Sequence, residues 1–179
     1  MTNPGKVFLI ASLLVAFGFL CIAFAENPVF PSISGYNLDG RLYQVPADFQ
    51  GSSNLVILTF QREQQKDADG WAVAARKLEV LFPEFRYHEV TAMEHRNVLL
   101  RWWWDSFIRK GIHDPETRDR TVVVYVSKRD FRQQLLIPDE KEIHLLLISR
   151  NGEIFWRARG AIDQAKQDAL QQQLALLHR

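Results

Sequence analysis

Residues 7–25 carry no charged side chain, and beyond them the spacing of apolar positions changes several times along the chain. Residues 54–60, with Leu55, Val56, Ile57 and Leu58 at the centre, form an unbroken apolar run, the pattern of a central strand covered on both faces. From Asp69 the spacing turns helical: Trp71, Ala74, Ala75, Leu78 and Leu81 share one face, and Pro83 closes the segment. Residues 85–90 read as the next strand. Residues 94–109 read as a second helix, with Val98, Leu99, Trp102, Ser106 and Phe107 at helical spacing and Gly111 at the terminator position. A polar loop to Arg120 leads into a β-branched strand at 121–126, a short helix at 130–135 and an apolar strand at 143–149. Asn151-Gly152, two residues that tolerate positive φ, turns the chain tightly into 153–158. An amphipathic helix over 161–177, with Ile162, Ala165, Ala169, Leu170, Leu174 and Leu177 inward, ends the pattern. Upstream, residues 30–51 suit a hairpin, with turn chemistry at Asn37-Leu38-Asp39-Gly40 and alternation from Arg41 to Val45.

The succession is a hairpin, then β-α-β-α, a strand, and finally β-β-α. It predicts one α/β domain over residues 26–179, a central mixed β-sheet flanked by helices with the hairpin as an N-terminal extension. A chain of 179 residues, 47% hydrophobic, supports one sizeable core.

Residues 1–25 differ from this domain. Lys6 precedes the apolar run, and Ala23-Phe24-Ala25 puts small residues where a signal peptidase inspects them, so the segment reads as a secretory signal ending before Glu26. The competing reading is an uncleaved membrane anchor, since the run nearly spans a bilayer. Either one places the domain in the periplasm or otherwise outside the cytoplasm, tethered to the inner membrane if the leader stays.

Charge changes the picture little: 22 Lys plus Arg stand against 21 Asp plus Glu, and removal of Lys6 with the leader balances them. That argues against a nucleic-acid partner. Cysteine changes it decisively. Cys21, the only one, lies in the leader, so residues 26–179 have no thiol. Disulfide exchange, cysteine nucleophiles and thiolate metal sites are thereby excluded from the domain.

Particular phrases carry a family likeness. Pro31-Ser32-Ile33, Leu38-Asp39-Gly40-Arg41 and Val45-Pro46-Ala47-Asp48-Phe49-Gln50-Gly51 resemble the opening of extracytoplasmic thioredoxin and peroxiredoxin relatives. The stretch from His144 to Arg157, with Gly160 before the last helix, is similar to the closing ββα of that superfamily. Between them, Phe60-Gln61-Arg62-Glu63-Gln64-Gln65 with Trp71, and Lys110-Gly111-Ile112-His113-Asp114 with Arg118, look like a cysteine-less bacterial set related to the mitochondrial ATP synthase assembly factors. The resemblance implies a thioredoxin-like fold. It also implies thiols just after the central strand, where this chain has Gln61 to Lys66, and a proline immediately before the strand at His144, where it has Glu142-Ile143.

Two sets of residues are candidates for function. Arg62, Glu63, Gln64 and Gln65, with Lys66, occupy the vestigial redox cleft, where side chains plus free helix N–H groups suit an anion; a solvated loop and first helical turn is the plainer alternative. Trp102-Trp103-Trp104 cannot all face one core at about 100° per residue, which makes Trp103 and Trp104 a candidate partner surface. His88, His95, His113, His144 and His178 lack metal-ligand spacing, and no Gly-x-Ser-x-Gly phrase marks a hydrolase. Arg118, Arg120, Arg129 and Arg132, mixed with Asp119 and Asp130, read as a solvated face. The sum is a protein-binding or assembly module without cofactor or metal. The alternative is a small-ligand-binding protein or cysteine-independent enzyme using the cleft residues with His113.

Overall fold

Strand β3 (Ser53–Thr59) is buried along its whole length, and the rest of the sheet is arranged around it. The computed structural model describes residues 28–94 and 114–179. Their elements are β1 (Ile33–Asn37), β2 (Leu42–Val45), β3, α1 (Gln65–Leu81), β4 (Phe85–Glu94), α2 (Pro115–Arg120), β5 (Thr121–Val126), α3 (Lys128–Gln134), β6 (His144–Ser149), β7 (Ile154–Arg159) and α4 (Gln164–Leu177). They build a seven-stranded mixed sheet in the order β2-β1-β5-β4-β3-β6-β7. β3 runs parallel to β4 and antiparallel to β6, with Leu55 opposite both Tyr87 and Leu147.

Alternation along the strands divides the core into two layers. Val56, Leu58, Val90, Val122, Val124 and Leu146 face one side, where Phe30, Tyr43, Phe49 and Phe131 cover them. Leu55, Ile57, Phe85, Tyr87, Leu145 and Leu147 face the other, under Trp71 and Leu78 of α1 and Leu170 and Leu174 of α4. The Trp71 indole also donates to the Gly160 carbonyl at 3.0 Å, so the largest side chain of this layer leaves no polar atom unmet. The hairpin packs as an extension: β1 pairs β2 and then β5, both antiparallel.

The predicted strands and helices that fall on described residues are present with shifted ends. Helix α1 starts at Gln65, ahead of Asp69, because the turn before it is already helical in sense. Leu81, expected inward, is 60% exposed, since the helix runs out there and the chain turns into Phe82. In α4, Asp163 caps the first turn by accepting from the Lys166 N–H at 2.8 Å, which moves the start to Gln164 and turns Ala165 to solvent. β4 continues to Glu94, which pairs with Val126, so no helix begins at Glu94; residues 95–109 of that expected helix lie outside the described residues. The polar stretch before Arg120 is partly helical instead of a loop, because Asp114 caps it through Thr117 and Pro115 occupies a first-turn position.

One turn breaks local rules. After α3, the Leu136 N–H bonds the Gln133 carbonyl and the Ile137 N–H bonds the Arg132 carbonyl, the doubled C-terminal motif that calls for a left-handed residue between them. Leu136 fills that place with φ 54° and is 71% exposed. Glycine is the usual occupant, and a left-handed L-residue costs about 1–2 kcal/mol. Leu136→Gly should therefore raise stability by about 1 kcal/mol or somewhat less after the flexibility glycine adds to the unfolded chain. Chemical denaturation checks this, and a fall in midpoint would contradict it.

Candidate functional site at the end of the central strand

The carboxyl end of β3 runs through Phe60 into a 3-10 turn, Arg62–Gln64, and then α1. The sheet ends there, so the backbone groups of Phe60 and Gln61 need new partners while remaining largely enclosed. Gln64 provides them. Its side chain is 5% exposed, and its Oε1 accepts from the Phe60 N–H at 2.8 Å and the Gln61 N–H at 3.2 Å. Its Nε2 donates to the Glu140 carbonyl at 2.8 Å, which ties the segment before β6 to the junction. Lys128 reinforces the tie, donating to the Phe60 carbonyl at 2.7 Å and to Glu140 Oε2 at 3.2 Å, and Arg132 holds Glu140 Oε1 at 3.1 Å.

The four candidate residues divide. Gln64 turns inward with both its side-chain oxygen and nitrogen bonded, whereas Arg62 and Glu63 lie exposed on the 3-10 turn, and Lys66 is exposed on α1. Gln65 is exposed but reaches across, its Nε2 donating to Asp69 Oδ1 at 2.9 Å and to Glu89 Oε2 at 3.4 Å. Trp103, Trp104 and His113 lie outside the described residues, as do residues 1–25. Among the described residues no helix is long and apolar enough to cross a membrane, and no group of three metal-ligating side chains converges.

Two buried ionisable residues escape a reading by spacing. His88 and Glu89 are neighbours in β4 and point to opposite layers. His88 stacks on Phe49, ring centroids 3.8 Å apart and 5° from parallel, and neither ring nitrogen has a hydrogen-bond partner among the described residues. Burial, with Arg120 and Arg86 adding repulsion, lowers its pKa to about 3. On the other side, burial raises the Glu89 carboxyl above its ordinary range, partly opposed by the Gln65 amide. The available signal was a pair of adjacent ionisable residues between Tyr87 and Val90, where alternation would leave only one of them facing solvent.

Towards the start of β4 an open cleft of about 420 Å³ is lined by Arg76, Glu79, Val80, Arg86, Glu116 and Arg120. Its charges are largely matched: Arg120 holds Glu79 and Glu116, and Arg76 reaches Asp114, Thr117 and the Tyr87 hydroxyl. Arg118 pairs with Asp39 at 2.7 Å, and Asp119 accepts from Asn37 at 2.9 Å and Tyr43 at 3.2 Å. Of the basic stretch expected to be a solvated face, Arg118 and Arg120 thus clasp the hairpin, α1 and α2 together, whereas Arg129 is exposed and Arg132 holds Glu140.

No protein-family model and no curated protein matches the chain. Among solved structures it is similar to the pneumococcal exposed lipoprotein thioredoxin Etrx1 from Streptococcus pneumoniae, at 12% identity over 82% of this chain and 99% of that one, TM-score 0.55. The thioredoxin domain of a thiol-disulfide oxidoreductase from Bacteroides vulgatus matches at 20% identity over 88% and 100%, TM-score 0.52. BsSco, a member of the Sco family of cytochrome c oxidase assembly proteins, matches at 11% identity over 84% and 94%, TM-score 0.57. The fold is thioredoxin-like. At these identities the likeness establishes architecture alone, and chemistry has to come from the residues present. Gln61 to Lys66 offer amides, charges and no sulfur, and Glu142-Ile143 precede β6. Among the described residues the cis X-Pro bond is Val45-Pro46, at the end of β2.

Two outcomes follow. Gln64→Ala leaves the enclosed Phe60 N–H without its partner and frees the Glu140 segment, and should cost about 2–3 kcal/mol in chemical denaturation. His88 is protonated near pH 6.5 in the unfolded chain but only near pH 3 in the folded one, so stability is full above about pH 6.5 and falls as pH drops towards 3. His88→Phe keeps the stack on Phe49 and should flatten that acid slope; an unchanged slope would assign it to other groups.

Proposed function

We propose that this chain is a non-redox thioredoxin-like module that binds or assembles partner proteins outside the cytoplasm, held at the inner membrane if residues 1–25 remain attached. The observation that carries this reading is Gln64: the amide at the end of the central strand spends its polar atoms on Phe60, Gln61 and Glu140. A junction satisfied from within stabilises the scaffold, and its residues supply no thiol nucleophile. What is left for the domain to offer is surface. Two structural neighbours support this reading, one being an exposed lipoprotein and the other belonging to a family of assembly proteins.

Crosslinking of the full chain in its native membrane fraction, followed by affinity purification and intact-mass measurement, tests the reading. It expects a stoichiometric protein partner, and the mass reports whether residues 1–25 are retained. A chain recovered alone under conditions that capture known complexes in the same fraction would overturn it.

A further inference from the structure

Not every arginine in this fold holds a carboxylate: Arg86 and Arg150 donate to backbone carbonyls. Arg118, Arg120, Arg132 and Arg159 each hold a carboxylate. Arg157 does not. It stands on β7, the last strand of the sheet, opposite Leu146, and its Nη1 donates to the Leu135 carbonyl at 2.6 Å. Among the described residues it makes no ion pair, and burial with no opposing charge lowers its pKa. Closing the end of α3 accounts for one N–H of a guanidinium that carries five in a planar fork suited to a carboxylate.

The next residue in the chain after that carbonyl is Leu136. It holds a strained left-handed backbone at a position made for glycine and presents most of its side chain to water. Neither cost is offset among the described residues: Leu135 and Ile137 on either side are buried, whereas Leu136 is exposed. Gln133, Gln134 and Pro138 around it are exposed as well, so nothing in the described fold covers it. An apolar side chain retained at the expense of stability, beside a cation lacking a counter-charge, has a simple complement.

We propose that the corner formed by Leu136 and Arg157 docks a peptide segment of a partner protein in which a carboxylate side chain stands next to a large apolar one. The carboxylate takes the free edge of the Arg157 fork, and the apolar side chain covers Leu136. This rests on the reading of the chain as a protein-binding module and specifies the chemistry of one contact. It is independent of Trp103 and Trp104.

The probe is a random twelve-residue peptide library displayed on phage and panned on the immobilised full chain in detergent, with selected peptides synthesised and titrated by fluorescence polarisation. Enriched peptides should place Asp or Glu beside Leu, Ile or Phe. Leu136→Gly should weaken their binding at least fivefold while raising the melting temperature, which separates lost contact from lost fold. Arg157→Gln should weaken it at least tenfold and reduce its dependence on salt. Enrichment without the acidic-apolar pattern, or equal binding by both variants, would remove this corner as a docking site. A crosslinked partner that binds both variants like the original chain would likewise remove it while leaving the binding-module reading in place; no partner at all removes that reading.

Discussion

A strand buried on both faces must be covered on both, and β3 imposes that demand on everything else. Its neighbours supply apolar side chains to each layer, α1 and α4 close one side, and the aromatic residues Phe30, Tyr43, Phe49 and Phe131 close the other. Side chains provide the coverage, but the ends of the strand leave backbone groups that no further ladder can satisfy. At the carboxyl end a single glutamine meets that need and ties in the segment that leads to β6.

The ion pairs play a second, more local part. α2 is a short helix, and short helices are marginal by themselves. Its Asp114 cap and the pairs from Arg118 and Arg120 bind it to Asp39 in the hairpin turn and to Glu79 in α1. Surface pairs contribute little one at a time, but several converging on one element fix where β5 begins.

Much of this was legible because it depends on periodicity. The unbroken run at 54–60 announced a doubly covered strand, Asn151-Gly152 announced a turn, although of the two only Gly152 takes a positive φ, and the order of elements with their phrases pointed to the thioredoxin-like plan. Helix ends were less legible, because they depend on which polar side chain turns back to bond the backbone, as Asp163 and Asp114 do. The candidate site was legible as a place rather than as a geometry. Arg62, Glu63, Gln64 and Gln65 look equivalent in a string of polar residues, yet only Gln64 falls where the strand end lacks partners. Arg157 and Leu136 were invisible for a related reason: a missing counter-charge and a left-handed φ are properties of the folded neighbourhood.

The closure by Gln64 has a further meaning for the surroundings in which such a domain works. A cysteine at that strand end would exist in two covalent states, and the local structure would follow the balance of oxidants and reductants around it. A carboxamide has one state. The shape of the junction, and with it the placement of α1 and the segment before β6, is therefore insulated from redox poise, so the domain can work beside thiol-exchanging enzymes without becoming their substrate.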